Sequence, residues 1–335
     1  MYRNNEELIA ANHRDHNFVL NHGALGDAIC SLPAIAYARQ NRHRNVTMRV
    51  WCSAHQMELF GHLLAPYGEF EMKDIKGFPG KAADRKAMGF GPLSHNAPFY
   101  DTHTRNSVHM VDYAYNFLID RGCDNQHERS YPTAAPVGAP FIESMPYVAF
   151  QIGHTSENKA FRAEVMRPII EWVIERGLKP VLLGTTVNHT KIRDDDGVLI
   201  PLAIVNEIHK LPISLMEQCI DLRDKTTLME ARRVLGHAAC VVGIDGGLIH
   251  LAGTTDAPII YGLTTTLPRH RYIPRHGDPF YKIRYVGPRD LECAGCQSNW
   301  TLTYFDFRQC AYGDNKCTYQ MHPDDFIAGM QDLGL

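Results

Sequence analysis

Six residues in the last third of the chain concentrate chemistry. In Asp245-Gly246-Gly247-Leu248-Ile249-His250 a carboxylate, two glycines and an imidazole follow the apolar run Val241–Ile244. Glycines between a strand and a helix let the backbone come close to a ligand. The first turn of the helix adds unpaired N–H groups and a partial positive charge. Together these features suit an anion, most often a phosphate or diphosphate. The same residues also read as an Asp-capped helix packed on a sheet, and the pattern alone leaves both readings open.

Two further clusters bear on that choice. Gly153-His154-Thr155-Ser156-Glu157-Asn158-Lys159 leaves an apolar run as a polar loop ending in a lysine. Thr155 and Ser156 can donate hydrogen bonds and Lys159 can neutralise a phosphate; alone, it is an ordinary solvated loop. Gly23-Ala24-Leu25-Gly26-Asp27 also joins a strand to a helix, without the G-x-G-x-x-G spacing of a dinucleotide site. Its carboxylate would repel a diphosphate. At the edge of a sheet it could instead serve as a general base, with a helix N-cap as the competing reading.

A third cluster is Cys293-x2-Cys296-x13-Cys310-x6-Cys317. A C-x-x-C knuckle with two more cysteines suits a closed tetrahedral metal site, usually a structural zinc. Disulfides and free thiols are the alternatives. Trp300, Tyr304, Phe305 and Phe307 are expected to pack around this module. Arg269-His270-Arg271 and Arg275-His276 form a basic stretch read as a solvated loop or as an anion contact.

The elements that would position these groups alternate between short apolar strands and helices. In the first half, a strand at Phe18–Leu20 and a helix from Asp27 to about Arg39 precede a strand at Val46–Trp51 and a helix near His55–Leu64. The Gly-, Pro-, Lys- and His-rich stretch Lys76–Asn106 reads as loops, Val108–Arg121 as a helix, and the proline-rich Ser130–Pro146 as a linker. In the second half, strands are expected at Tyr147–Ile152, Pro180–Leu183, Cys240–Ile244 and Pro258–Leu263, with weaker ones at Val198–Leu202 and Cys219–Leu222. Helices are expected at Arg162–Arg176, Thr227–Ala238, Gly246–Thr254 and Asp324–Leu335. This alternation predicts an α/β fold with a parallel sheet in each half. The expected division is 1–140, then 141–320 with the cysteine module at 293–317, then a terminal helix at 321–335.

Composition sets outer bounds. The 335 residues suggest about two domains. They are 44% hydrophobic and 21% charged, as in ordinary globular proteins. A net charge of −3 gives no electrostatic demand for nucleic acid. The polar start Met1–Glu7 does not read as a signal peptide, and no run approaches the roughly 18 apolar residues that span a bilayer. The expectation is a cytoplasmic protein. Of the nine cysteines, Cys30, Cys52, Cys123, Cys219 and Cys240 are dispersed and read as buried thiols.

Taken in order, the motifs resemble glycosyltransferase family nine, the ADP-heptose:lipopolysaccharide heptosyltransferase-like enzymes. The series runs through Gly26-Asp27 with Pro33 six residues after Asp27, the strand–loop–Lys159 element and Val181-Leu182-Leu183-Gly184. It continues through Asp224-Lys225-Thr226-Thr227-Leu228 and Asp245–Ala252. The resemblance implies a GT-B architecture, two Rossmann-like domains facing across a cleft, with the acceptor on the N-terminal half and the nucleotide-sugar donor on the C-terminal half. It implies an inverting transfer with no catalytic metal or other cofactor. Asp27 would be the base, with Gly26 beside the acceptor. Lys159, Thr155, Ser156, Gly184, Asp245, Gly246, Gly247 and His250 would hold the donor. Gly246 stands where the family's D-[TS]-G-x-x-H loop carries a hydroxyl residue. Some protein-modifying relatives in this resemblance hold iron on four cysteines, so iron joins zinc as the expected ion at Cys293, Cys296, Cys310 and Cys317. The implied partners are a nucleotide-diphosphate sugar and a glycan, lipopolysaccharide or protein acceptor, with no transmembrane segment and no implied oligomeric state. A modified base of viral DNA as acceptor, and a non-catalytic nucleotide-sugar-binding protein, are the rival readings. The missing dinucleotide fingerprint argues against an epimerase or dehydrogenase.

Overall fold

The protein is described from a computed structural model covering residues 15–20, 25–41, 47–77, 111–112, 130–136, 138, 142, 145–154, 156–186, 191–193, 199–201, 205–276, 278–296, 310 and 312–335. Its contacts fall into two units, Met1–Ala134 with Ile273–Asp278, and Ala135–Tyr272 with Pro279–Leu335.

The first unit holds a parallel sheet in the order β1-β2-β3, from β1 (Asp15–Val19), β2 (Thr47–Cys52) and β3 (Glu71–Asp74). Helix α1 (Leu25–Asn41) follows β1 and buries Ile29, Leu32 and Ile35. Helix α2 (Ala54–Leu64) follows β2 and buries Leu59, Phe60, Leu63 and Leu64. It opens with a capping box in which Gln56 reaches back to the Ser53 backbone. Strand β3 was not foreseen. Glu71-Met72-Lys73-Asp74 has one apolar residue, and it pairs as an edge strand through backbone bonds to β2 and an Arg49–Glu71 ion pair of 2.9 Å. Helix α1 starts at Leu25, so Asp27 is its third residue and not its cap, as the cap reading had it.

The second unit is built on a six-stranded parallel sheet in the order β11-β10-β9-β4-β5-β8. Its strands are β4 (Tyr147–Ile152), β5 (Lys179–Gly184), β8 (Ile220–Asp221), β9 (Cys240–Ile244), β10 (Ile259–Gly262) and β11 (Ile283–Val286). Every residue of β4, β9 and β10 is buried, which is why these strands read as unbroken apolar runs rather than alternating ones. Helix α3 (Ala163–Glu175) packs on the sheet through Val165, Met166, Ile169, Ile170 and Val173. Helix α4 (Leu228–Gly236) is fixed by a reciprocal cap: Thr227 accepts from the Glu230 N–H at 3.2 Å, and Glu230 accepts from the Thr227 N–H at 2.8 Å. The terminal helix α6 (Pro323–Asp332) joins the same core, with Phe326 stacked on Phe161 at 5.5 Å. The edge strand β11 was missed, because Ile283-Arg284-Tyr285-Val286 mixes buried and half-buried residues. The pair β6 (Lys191–Arg193) and β7 (Leu199–Pro201) is antiparallel, against the all-parallel expectation. A short connection can close an antiparallel pair, whereas a parallel pair needs a crossover.

This strand order decides where a ligand can sit. The chain runs outward from β4 to β5 and β8, then returns to the other side of β4 and runs outward again through β9, β10 and β11. The reversal falls between β4 and β9. In open parallel sheets the crevice beyond the carboxyl ends of such a pair is the ligand site. The loops leaving β4 and β9 carry Gly153–Lys159 and Asp245–Gly247.

Candidate functional site

The β4 and β9 loops meet in a charged pair. Lys159 Nζ lies 2.7 Å from Asp245 Oδ2, with the lysine side chain 21% and the aspartate side chain 6% exposed. Asp245 is the centre of the cluster. Tyr261, in β10, donates its hydroxyl to Oδ1 at 2.6 Å, and Thr266 donates to Oδ2 at 3.5 Å. His250 Nε2 is 3.5 Å from Oδ1 and 3.4 Å from the Tyr261 hydroxyl. Burial opposes ionisation of Asp245, but the Lys159 ammonium, the His250 ring and the Arg271 guanidinium outweigh it and hold the carboxyl well below the usual carboxylate range. The aspartate is thus a fixed anion that orients a lysine, a histidine and a tyrosine.

The turn after Asp245 takes the expected shape with one correction. Helix α5 (Gly247–Gly253) is capped by Gly246, and Asp245 stands outside it. The Asp-capped reading fails because the Asp245 side chain is committed to Lys159 and Tyr261. Gly247 opens the helix, and His250 faces back into the cluster from its first full turn.

The β4 loop is rigidly held. Ser156 is buried and its hydroxyl bonds the Asn158 carboxamide. Asn158 O accepts from Thr264 Oγ1 at 2.7 Å, and Cys317 Sγ lies 3.9 Å from the same carbonyl. Three residues beyond Lys159, the buried Arg162 donates to Thr318 Oγ1 at 2.8 Å, and its guanidinium pairs with Glu207 and Glu157 at 3.0 Å each. His154 is buried beside the charged pair. Burial and the Lys159 charge push its pKa down to about 4, so the ring is neutral near pH 7.

Gly184 ends β5, beside β4. At φ +145° any Cβ there would run into the Ile152 carbonyl, so only glycine fits. Its own carbonyl accepts from the Asp224 N–H at 3.0 Å, and the Asp224 carboxylate binds the Thr186 N–H.

The structure therefore brings Lys159, Asp245, Gly246, Gly247 and His250 together at one sheet edge, with Ser156 turned inward and Gly184 one strand further along. Thr155 lies outside the described residues. So do Gly23, Ala24, Cys123, residues 78–106, most of the helix expected at Val108–Arg121, and Trp300, Tyr304, Phe305 and Phe307. Asp27 and Gly26 belong to the first unit, in the first turn of α1. Asp27 is half-buried, and its carbonyl accepts from Ser31 Oγ at 3.1 Å. Sequence reasoning missed Tyr261 and Thr266 and left Arg271 open between a solvated loop and an anion contact. Arg271 is close enough to Asp245 to help hold it ionised. The one available signal was the hydroxyl-rich run Thr264-Thr265-Thr266 following a buried strand.

The four cysteines share a neighbourhood. Burial pushes the Cys317 thiol up to about 12, and charge on Cys296, Cys293 and Cys310 adds to the shift. Among the described residues, however, no group of three or more His, Cys, Asp or Glu side chains is placed to hold a metal ion. The thiols are near one another without the geometry of ligands around one centre. No helix among the described residues is long and apolar enough to cross a membrane.

The fold is that of known heptosyltransferase structures, α/β with parallel sheets and of the GT-B class. The iron-containing dodecameric glycosyltransferase TibC from enterotoxigenic E. coli matches 96% of this chain and 76% of its own, with a TM-score of 0.65 and 18% identity. A second TibC structure is a complex with ADP-D-beta-D-heptose. The E. coli ADP-heptose lps heptosyltransferase II matches 95% of this chain and 98% of its own, with a TM-score of 0.61 and 14% identity. The resemblance read from the motifs is borne out: the model of glycosyltransferase family 9 (heptosyltransferase) matches residues 117–270. The lipooligosaccharide heptosyltransferase 2 of Haemophilus influenzae is 36% identical over 76 residues, 23% of this chain and 21% of the relative's own length.

Proposed function

We propose that this protein is a glycosyltransferase that moves a sugar from a nucleoside-diphosphate donor to a hydroxyl acceptor by single displacement. A heptose or another hexose or pentose is the transferred sugar, and the acceptor lies on a glycan, a lipopolysaccharide or a protein. The observation that carries this reading is the Lys159–Asp245–His250 cluster at the reversal point between β4 and β9. The donor belongs to the second unit and the acceptor to the first.

In the reaction the acceptor oxygen bonds to the anomeric carbon as the bond from that carbon to the diphosphate oxygen breaks. The acceptor proton passes to the Asp27 carboxylate, and the diphosphate leaves with one more negative charge. An aspartate saturated by cations is a poor base, which argues against Asp245 in that role; Asp27 is assigned it by its place in the motif series that resembles the family. Lys159, Arg271 and the N–H groups of Gly246 and Gly247 stabilise the leaving charge. Asp245 keeps Lys159 aimed; the incoming phosphate competes for the same ammonium, so the lysine is preorganised without being free to wander. Single displacement inverts the anomeric centre.

The four cysteines take no part in this chemistry. Their role in the proposal is a structural zinc or iron site, supported by four thiols in one segment and by the cost of charging them together, which a cation relieves; it requires the thiols to draw in around one centre, which their present placement does not do. Elemental analysis of the purified protein should find one equivalent of zinc or iron, and a metal-free protein with normal stability ends that part.

The test of the function is a panel of nucleotide sugars. A true donor raises the melting temperature, since it binds only the native state. It should then release its nucleoside diphosphate when a suitable acceptor is added. Stabilisation by nucleotide sugars with no release in the presence of broad acceptor mixtures would favour a non-catalytic binding protein.

A further inference from the structure

Gly246 leaves a space that another residue fills. Its backbone is extended, with φ −170°, so backbone freedom does not explain a glycine there. Space does. A Cβ at position 246 would collide with the carboxamide nitrogen of Gln151 and would stand 3.1 Å from both Gln151 Cδ and His154 Cε1. Gln151 comes from β4 and is 4% exposed. Two polar atoms around that point, Gln151 Oε1 and His154 Nε2, are buried with no hydrogen-bond partner among the described residues. Native folds rarely leave such atoms orphaned. Here the pair sits directly under the turn that carries Asp245, at the reversal point of the sheet.

We infer that Gln151 is the specificity-determining residue of this site: its carboxamide takes the volume of a residue-246 side chain and, with His154, reads a hydroxyl of the bound donor. The inference rests on the donor-site reading above. A hydroxyl fits because it can donate its proton to the carboxamide oxygen and accept from the Nε2–H tautomer of a neutral imidazole at the same time. A phosphate oxygen only accepts, and so cannot satisfy the carboxamide oxygen. The hydroxyl belongs either to the ribose of the nucleotide or to the transferred sugar.

The experiment compares Q151A, G246S and the double variant Q151A/G246S with the wild type. Without any added compound, G246S alone should lower the melting temperature by several degrees, because Ser and Gln151 compete for one volume. In the Q151A background the same change should cost little or nothing. Additive shifts would overturn the shared-volume claim and the inference with it. Binding is then measured by calorimetry with ADP, UDP and GDP, each alone and as its hexose or heptose conjugate. Q151A should weaken binding about tenfold, the loss expected for one hydrogen bond to an otherwise orphaned group, and the double variant should regain part of it. Weakening that appears with the free diphosphate assigns the hydroxyl to the ribose; weakening confined to the conjugate assigns it to the sugar. Q151A that binds both like the wild type overturns the inference and leaves the donor site standing. A wild type that binds none of these compounds overturns the donor reading and removes the ground for both.

Discussion

The molecule carries two aspartates beside glycine at the start of a helix that follows a parallel strand, and their surroundings are opposite. Asp27 is the third residue of the helix after β1, beside Gly26, and Asp245 stands just before Gly246, the cap of the helix after β9. Asp245 is buried and meets Lys159, Tyr261, His250 and Thr266. Asp27 is half-buried, and among the described residues its carboxylate makes no ion pair or hydrogen bond. A carboxylate that must take a proton has to keep its lone pairs available, whereas one that anchors other groups is best saturated. In the proposed reaction the same side chain is thus the reactive group at one helix start and a fixed part at the other.

The sharpest test of this contrast is Asp27→Asn. It should lower turnover by about 10²–10⁴-fold, the range of general-base assistance. Donor affinity measured by calorimetry should stay within a factor of two or three (roughly 0.5 kcal/mol). Retained turnover would erase the difference between the two aspartates.

Next in size is Asp245→Asn. Removing one partner of a buried pair typically costs about 3–5 kcal/mol, and some relief is expected here because Lys159 reaches solvent. Denaturant unfolding should show a clear loss of stability, and donor binding should weaken as Lys159 loses its aim. The matching change Lys159→Ala should also weaken donor binding. A stable D245N protein with normal donor affinity would show that the saturated aspartate anchors nothing.

The smallest effect concerns His154. Its pKa falls from 6.5 to about 4 on folding. Below pH 6.5 the unfolded chain takes up a proton that the folded chain refuses, so stability declines as the pH drops from 6.5 to 4. The full difference is roughly 3 kcal/mol. His154→Gln should flatten the stability profile in that window, and an unchanged slope would place the acid sensitivity elsewhere.

Much of this was legible in the sequence because burial leaves a plain mark. Strands β4, β5, β9 and β10 are apolar runs, and their ends put Lys159 and Asp245 into polar loops at recognisable turns. The ion pair itself was not legible. Lys159 and Asp245 are 86 positions apart, and they meet only because the sheet order places β9 beside β4. Tyr261 reads as one more apolar strand residue, since nothing in Ile259–Gly262 reveals that its hydroxyl points at a carboxylate. Edge strands β3 and β11 lack an apolar run because one side is open, and hydrophobicity alone passes over them.

The Arg162–Thr318 bond and the Phe161–Phe326 stack join positions more than 150 residues apart. They fasten the tail of the chain to the stem of the Lys159 loop. Any fragment ending before Lys316 would keep every strand of the large sheet and still lose the brace behind its lysine. Such a fragment would also strip the buried Phe326 and Met330 from the core of the large sheet, so shortened versions of this protein should lose stability together with the brace.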